Sequence, residues 1–498
     1  METIISYITE KFIQNLSDLT ENFYQDPTKL SDFILSIRKE TDELGRKFLE
    51  STIQELDEMI KQQPRRKKKW HVEHKADGRH LLTTLGMISF TRTLYTSKSE
   101  LNEQGRPLTC YLLDQMLGLS PNQEMTDDVK ANILKEAVQT SYNKAGKEAC
   151  SNESVSKESV KNIIHMLQFP KGYQIPEKKK EVEYLYIDAD ENHYHLQFNE
   201  KRGDIPRNER GYKLNGGMTK LAYVFEGIEN EAPQSKRHRL VNAHYFARGD
   251  EMSSKDFWKE VFDYVETTYD TGKIKKLYIN ADGGAWIKGG YNDLYDAVFV
   301  LDEFHLSKYV ARMTSHMLDS VNDAKKEIYD CIREKGKKEF NAVVEKLKSC
   351  AESEKFQEKI ERDAEYIRSN WMAAKYRLRK KEGVLACSAE GHVYHVLSSR
   401  MSTHAMGWSR HGADKMARLR EYYCNGGDMY ELAKFQKEEL PVAAGSEEVI
   451  LTVREILQSG QPQRTRFQQE YGKYSDLLHA SITKQTSQQM AFYLNRKI

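Results

Sequence analysis

The sequence predicts an α/β fold that contains a long all-helical insertion and follows a helical N-terminal region. Three observations support this class. Residues 181–310 alternate strand-like and helix-like runs; residues 311–382 are charge-dense, periodic as helices and without a strand signal; residues 1–62 repeat apolar side chains at helical spacing. The 498-residue chain is too long for one ordinary core, so we expect two to four domains.

The N-terminal helical region, residues 1–62, is followed by a basic stretch. Residues 61–80 carry eight positive and two negative side chains, a net charge of +6, whereas the whole chain has a net charge of +1. Affinity for nucleic acid must therefore come from local patches. The side chains expected to contact phosphate here are Arg65, Arg66, Lys67, Lys68 and Lys69.

Residues 63–170 are predicted to form a DNA-binding region. Around Gly86, residues 80–95 are typical of a hairpin, and a helical region follows at about 110–168. Residues 141–167 have the pattern of two short helices joined by a polar turn, with Ser156 as cap of the second. This indicates either a helix-turn-helix or an ordinary helical hairpin. In the first case the side chains facing DNA would be Lys157, Ser159 and Lys161.

Two nearly identical hexapeptides, Leu185–Asp190 and Leu277–Asp282, are the strongest functional signal. Each is an apolar strand that ends on an aspartate. Since side chains at i and i+2 share a face of a strand, Asp188 projects with Asp190 and Asn280 with Asp282. Two such ends side by side would form a site for a divalent metal. Aspartates at strand ends are also common turn-formers and helix caps, which is the alternative for each residue alone.

The first strand is expected to end near Asp190, with residues 194–199 returning antiparallel to it. Asp190 is therefore the preferred metal ligand from the first hexapeptide, and Asp188 is a supporting or alternative ligand. Asp282 is the ligand from the second hexapeptide. The third acid is expected to be Glu390, in the first turn of a helix; Glu382 and Glu421 are possible substitutes.

At these residues the sequence resembles DDE-type insertion-sequence transposases of the Mutator-like superfamily, in particular the ISLre-type group. The motifs are YIDAD followed by HLQ, YINADGGAWIKGG, and Asp302-Glu303-Phe304-His305, with Asp302 lying 20 residues after Asp282. SAEGHVYHVLSSRM, followed by MGWSRHGADKMARLR, resembles the segment that bears the final glutamate. The resemblance covers residues 70–424.

The resemblance implies a ribonuclease H-like catalytic core in two parts, 181–310 and 383–424, with 311–382 as the helical insertion. It implies two Mg²⁺ (or Mn²⁺) ions bound by Asp190, Asp282 and Glu390, with Asp188 as the alternative ligand. His305 would contact the scissile phosphate or orient the site. Trp371 would lie near the DNA ends, unless it is a core residue of the helical bundle.

The activity implied is Mg²⁺-dependent cleavage at the ends of an insertion sequence and strand transfer into target DNA. The expected partners are the terminal inverted repeats, target DNA and further copies of the chain, as a homodimer or a higher assembly. A ribonuclease H-like nuclease without strand transfer and an inactive transposase-derived DNA-binding protein are the alternatives.

Cysteine spacing and hydropathy predict a soluble cytoplasmic protein, and the resemblance implies a bacterial protein associated with the nucleoid. The six cysteines are far apart and form no CxxC pair, and no apolar run approaches the roughly 18 residues that span a bilayer. The C-terminal tail, residues 425–498, is polar and weakly patterned, and it predicts no function.

Overall fold

The computed structural model describes residues 7–102, 104–170, 173, 175–197, 207, 215–291, 297–380, 382–404 and 406–438. The chain divides into two compact units. The first contains the residues up to Lys130 together with Ala149–Ser154, and the second contains Ala131–Glu148 and Val155–Glu438. The predicted 63–170 region therefore contributes to both units. Most of the predicted 425–498 tail lies outside the described residues.

The first unit and the junction contain five helices and three strands in the described residues. The helices are α1 (Ile13–Gln25), α2 (Leu30–Gln62), α3 (Pro64–Lys69), α4 (Leu112–Met116) and α5 (Asp127–Ala137), with shorter turns at Tyr7–Phe12 and Pro27–Lys29. The strands are β1 (Trp70–Thr83), β2 (Gly86–Leu101) and β3 (Pro107–Tyr111).

The second unit contains the remaining elements. Its first part comprises α6 (Tyr142–Lys147), α7 (Lys157–Met166), β4 (Tyr184–His195), β5 (Gly216–Phe225), β6 (Gly227–Asn230), β7 (His238–Val241), β8 (His244–Gly249), α8 (Ser254–Thr268), β9 (Lys276–Ala281), α9 (Ala285–Tyr291) and β10 (Val298–Leu301). Its second part comprises α10 (Glu303–Thr314), α11 (Val321–Asp330), α12 (Lys337–Ser349), α13 (Glu354–Ser369), α14 (Trp371–Arg379), α15 (Ala389–Val393), α16 (Ser399–Met401), α17 (Arg410–Cys424) and α18 (Met429–Glu438). Shorter turns lie at Thr271–Lys273, Leu318–Ser320, Cys331–Lys335 and Tyr394–Ser398.

The first unit confirms the N-terminal helices and the hairpin and adds a strand. β1 and β2 pair antiparallel up to Thr83 opposite Gly86, as the turn signal predicts. β3 also pairs with β2, and the helical region expected from about residue 110 begins directly after it, at Leu112. The short segment Pro107–Tyr111 is a strand because β2 offers it an open edge, which no local pattern reveals.

The second unit is built on a mixed five-stranded sheet in the order β10-β9-β4-β5-β8. β4 is central; it pairs parallel with β9 and antiparallel with β5, and β9 and β10 are also parallel. The chain is thus mixed α/β, as predicted.

The two hexapeptides lie side by side on neighbouring parallel strands. They pair in register, from Leu185 opposite Leu277 to Ala189 opposite Ala281. The apolar face of the two strands packs against α8. Its side chains are those of Leu185, Ile187, Ala189, Leu277, Ile279 and Ala281. The two hexapeptides are alike because both strands have the same surroundings. Each has an aliphatic face on one side of the sheet and a face that changes from aromatic to polar on the other.

The expected end of the first strand near Asp190 is wrong. β4 continues to His195, and its last six residues pair with β5, ending at His195 opposite Gly216. Asn192 and Tyr194 are buried on this extension. Local polarity indicated a turn, but pairing with β5 satisfies the backbone of these residues.

From Glu303 to Arg379 the described chain is helical and has a core of its own. We call α10–α14 the helical segment. The sequence predicted helices for most of this range; α10 begins before residue 311 because Asp302 caps it, accepting a hydrogen bond from Phe304 N–H.

Helix α9 offers a matched pair of stability tests. A Cβ added at Gly290 would lie 1.9 Å from Cδ1 of the buried Trp258, whereas one at Gly289 meets nothing within 4 Å. We expect Gly290→Ala to destabilise the chain by about 1–3 kcal/mol, because the ring must move. Gly289→Ala should stabilise it by about 0.5–1 kcal/mol through helix propensity. Thermal melting of the two variants would test this, and equal melting temperatures would contradict it.

Candidate functional site

Three neighbouring parallel strands, β4, β9 and β10, stop pairing with one another at the same level of the sheet, although β4 itself continues to His195. Ala189 pairs with Ala281, and Leu301 pairs with Ala281 from the other side. The next residue on each strand is an aspartate: Asp190, Asp282 and Asp302. Three carboxylates therefore follow the paired residues of adjacent strands at this level of the sheet. Two of them, Asp190 and Asp282, were expected as metal ligands.

Asp190 is largely buried beside another negative charge. Its Oδ1 accepts a hydrogen bond from Glu191 N–H at 2.8 Å, and Oδ2 has no hydrogen-bond partner among the described residues. Burial first, and then the charge of Asp282, raise the pKa of Asp190 to about 6. The two aspartates are thus close enough to interact, and a cation between them would relieve their repulsion.

Asp282 is held by the turn that follows it and by the helical segment. Its Oδ1 accepts from Gly284 N–H at 2.8 Å, and its carbonyl oxygen accepts from the Tyr366 hydroxyl. Gly283 has φ +84°, and a Cβ there would lie 2.6 Å from Asn370 Oδ1, so both the turn and the helix require glycine. The direction of the Asp282 side chain therefore depends on α13 and the residue after it.

His305 is oriented by Asp302, three residues earlier in the first turn of α10. Nδ1 of His305 donates to Asp302 Oδ2 at 2.8 Å, and Nε2 has no partner among the described residues. The bond to Asp302, with smaller contributions from Asp282 and Asp190, raises the pKa of His305. The imidazole of His305 is thus held beside the two carboxylates, and their charges favour its protonated form.

Glu390 is exposed on α15, with no hydrogen-bond or ion-pair partner in the described part of the chain. Within that part, no three His, Cys, Asp or Glu side chains lie close enough together to hold a metal ion. The three acids of the prediction are therefore not assembled as a ligand set in the described residues, although Asp190 and Asp282 are neighbours.

The helix that carries Glu390 nevertheless follows β4. Asp188 accepts a hydrogen bond from Ser388 N–H at 3.0 Å, and Asn192 Oδ1 accepts from Ser398 Oγ at 2.8 Å. These contacts lie before and after Asp190 on the same face of the strand. The stretch between Ser388 and Ser398, which includes α15, thus runs along β4 in the direction of the strand.

Asp188, the alternative metal ligand, is fully buried and its oxygens are occupied. Oδ1 accepts from Asn280 Nδ2 at 2.6 Å, and Oδ2 accepts from the Tyr223 hydroxyl at 2.8 Å as well as from Ser388 N–H. Burial raises the pKa of Asp188. Its expected role as a ligand is corrected to a structural one, because depth rather than strand face separates it from Asp190.

The two possible substitutes for Glu390 lie elsewhere. Glu382 is exposed and accepts from the hydroxyl of Tyr184, at the opposite end of β4. Glu421 is partly buried and paired with Arg248 on β8, two strands away from β4.

In the basic stretch, which forms α3, one of the five predicted phosphate contacts is corrected. Arg66 is buried, and its guanidinium donates to the carbonyl oxygens of Ile60, Lys61 and Trp70. The exposed side chains are Arg65, Lys67, Lys68 and Lys69. Arg66 fixes the junction between α2 and β1, because its five donors suit several carbonyls at once.

Helices α6 and α7 adopt the expected two-helix arrangement, with Ser156 capping the second through a hydrogen bond from Ser159 N–H at 3.1 Å. Lys157 and Lys161 are exposed, but Ser159 is partly buried and its hydroxyl lies 3.0 Å from that of Ser156. Ser159 is therefore corrected to a member of the cap.

Trp371 is a core residue of the helical segment. Only 7% of its surface is exposed, and its ring packs edge-on against Phe340, with the centroids 5.4 Å apart. The expected contact with DNA ends is corrected accordingly. None of the helices in the described ranges combines the length and apolar composition needed to cross a bilayer.

Comparison with solved structures gives only distant likenesses. The Drosophila P element transposase strand transfer complex matches with a TM-score of 0.20 and 9% identity, covering 69% of this chain and 84% of that one. The Mos1 strand transfer complex matches with a TM-score of 0.12 and 10% identity, covering 51% and 78%. Agreement at this level is too low to assign a fold.

Sequence relatives are much closer. A UPF0236 protein of Caldanaerobacter subterraneus subsp. tengcongensis is 36% identical over 439 residues, covering 88% of this chain and 87% of the relative. The UPF0236 protein in the vanSb 3' region of Streptococcus gallolyticus is 24% identical over 409 residues, covering 79% and 82%. The family described as "Uncharacterised protein family (UPF0236)" matches residues 25–438. The chain therefore belongs to the UPF0236 family.

Proposed function

We propose that this chain is a DDE-type transposase of the Mutator-like superfamily that cuts DNA at the ends of an insertion sequence and joins the freed ends to target DNA. The observation that carries the proposal is the pair Asp190 and Asp282, side by side where β4 and β9 cease to pair. Phosphoryl transfer with two metal ions needs carboxylates brought together in this way.

The sheet supports the proposed fold of the core. Three antiparallel strands, β4, β5 and β8, are extended on the other side of β4 by the parallel strands β9 and β10. This order agrees with a ribonuclease H-like sheet. In that interpretation, the helical segment is the insertion between the second and third acids.

Asp190 and Asp282 have the chemistry of Mg²⁺ ligands. Each has one oxygen held by a backbone N–H and a second without a hydrogen-bond partner in the described residues. Mg²⁺ is commonly bound by one or two carboxylates together with water and substrate phosphate. Glu390 is the proposed third ligand. When bound, two Mg²⁺ or Mn²⁺ ions would stabilise the attacking and leaving oxygens of the transfer.

His305 and the basic surfaces are proposed to bind the DNA. Asp302 holds the imidazole of His305, whose Nε2–H could donate to a phosphate oxygen near Asp190 and Asp282. The exposed cations of α3 and α7 would contact backbone phosphates along the duplex. Paired element ends would require at least two copies of the chain.

Purified chain, incubated with duplexes taken from the DNA that flanks its gene, would test the proposal. We expect Mg²⁺ or Mn²⁺ to permit cleavage at the boundaries of the element and joining of the cut 3′ ends to a second duplex. EDTA should abolish both reactions and leave DNA binding in place. Inverted repeats flanking the gene would identify those boundaries.

Two other results would replace the proposal with an alternative. Metal-dependent cutting without joining would indicate a ribonuclease H-like nuclease. Binding without cutting in any divalent metal would indicate a DNA-binding protein derived from a transposase.

A further inference from the structure

A chain of buried hydrogen bonds runs from the end of the helical segment, through two strands, to the start of α15. Arg377 Nη2 donates to Asn280 Oδ1 at 2.9 Å, and Asn280 Nδ2 donates to Asp188 Oδ1 at 2.6 Å. The other oxygen of Asp188 accepts from Tyr223 Oη–H at 2.8 Å and from Ser388 N–H at 3.0 Å. We call these five residues the polar network.

The polar network contacts every element that carries a proposed metal ligand. The offset is two residues in each case: Asp188 and Asp190, Asn280 and Asp282, Ser388 and Glu390. Within β4 an offset of two keeps both side chains on one face, so the direction of Asp188 bears on that of Asp190. Asn280 fixes the last part of β9, from which the chain continues to Asp282. Arg377 Nε also donates to the carbonyl oxygen of Leu301 at 2.9 Å, immediately before Asp302.

The polar network explains the one difference between the two hexapeptides. Position four is aspartate in the first, Asp188, and asparagine in the second, Asn280. An amide can accept from Arg377 and donate to Asp188 at the same time. A carboxylate at position 280 would instead face the buried carboxylate of Asp188, and the two like charges would repel each other.

General stability is a poor explanation for these buried charges. Asp188 is fully buried and Arg377 is 4% exposed, although well-packed apolar side chains often stabilise such a position equally well. What the polar network provides is a fixed geometry: the planar fork of Arg377 reaches Asn280 and the Leu301 carbonyl together.

We infer that the polar network is a positioning device, which holds the strand ends so that Asp190 and Asp282 can bind metal together and which ties this spacing to the helical segment through Arg377. The inference rests on the proposed function. Asp188, Asn280 and Arg377 are positioning residues, since their interactions are made within the chain.

An exchange experiment tests the inference. Asn280→Asp should lower the cleavage rate at saturating DNA at least tenfold and weaken Mn²⁺ binding to the chain without DNA by a similar factor. The double variant Asp188→Asn with Asn280→Asp moves the carboxylate beside Arg377 and keeps every donor matched with an acceptor. It should restore both quantities to within about threefold of the original chain, in the range expected for a repaired supporting contact.

Arg377→Lys keeps the positive charge but lacks the planar guanidinium that binds Asn280 and the Leu301 carbonyl together. The variant should therefore bind Mn²⁺ more weakly, with little change in its affinity for DNA. Arg379→Lys is the matched control, because exposed Arg379 donates to the Arg333 carbonyl and touches no strand end. The inference would be overturned if Arg377→Lys kept the cleavage rate and the Mn²⁺ binding of the original chain. It would also be overturned if the double exchange restored neither folding nor the cleavage rate. Absence of cleavage by the unaltered chain would instead overturn the proposed function.

Discussion

Asp282→Asn is expected to abolish metal-dependent cleavage and strand transfer while DNA binding is retained. The substitution preserves size and the hydrogen bond from Gly284 N–H, but it removes the charge that a divalent ion requires. Loss of a residue that only supports a metal ligand costs about 10–100-fold, so loss of a direct ligand should exceed about 100-fold. Asp190→Asn should behave in the same way, because Asp190 also has one oxygen held by a backbone N–H and one without a hydrogen-bond partner in the described residues.

The matched control is Asp319→Asn, at an exposed position before α11. It removes the same charge from the same chain and should change neither cleavage nor binding. Cleavage rates on a labelled end duplex, measured beside binding to that duplex, distinguish the outcomes. Asp282→Asn cutting at the original rate would show that the site is elsewhere. Glu390→Gln, in the same assay, decides whether the exposed third acid joins the site once DNA and metal are bound.

Much of the fold could be predicted because local signals and tertiary packing agree. Ser156 caps α7 as the sequence predicts, and the hairpin turns next to Gly86. The repeated hexapeptides predicted two buried strands with aspartates on a common face, and register pairing confirms this geometry. In these places the period of the side chains alone determines which face is buried.

The extension of β4 could not be predicted, because the residues after Asp190 are polar. Asn192 is buried, but the hydroxyls of Ser398 and Ser402 satisfy its amide oxygen. Those partners lie about 200 residues away, so no window of sequence contains them. Strand propensity depends strongly on such tertiary context.

At the candidate site, the sequence did not predict how deeply each side chain is buried. Asp188 and Asp190 share a face, yet Asp188 is fully buried whereas Asp190 is only partly buried, where β4 and β9 cease to pair. Arg66 and Trp371 have the residue types expected at a DNA surface, but both are buried. In each case the partner that buries the side chain comes from a different element, whereas residue type and local charge describe only what the side chain could bind.

Neutralising the exposed cations of α3 is expected to produce the second large effect. A variant with Arg65, Lys67, Lys68 and Lys69 changed to Gln should bind every duplex more weakly, whether or not it carries an element end. For each cation that binds a phosphate in the original chain, its removal should reduce the slope of log affinity against log salt concentration by about 0.9. Cutting of DNA that is already bound should continue, because the acids lie in the other unit.

Arg66→Gln provides the contrast within the same six-residue helix. Its guanidinium is buried on backbone carbonyls, so the variant should lower the melting temperature and leave the salt slope unchanged. Fluorescence anisotropy titrations between 50 and 200 mM salt, the range over which such contacts change affinity strongly, measure the slopes. If the four-residue variant kept its original slope, α3 would not be a phosphate-binding surface. If Arg66→Gln reduced the slope as much as removal of one phosphate contact does, the structural role of Arg66 would be wrong. The sequence predicts a phosphate contact for all five basic side chains. The difference in salt slope between the buried and the exposed ones therefore measures how burial changes the role of a basic residue.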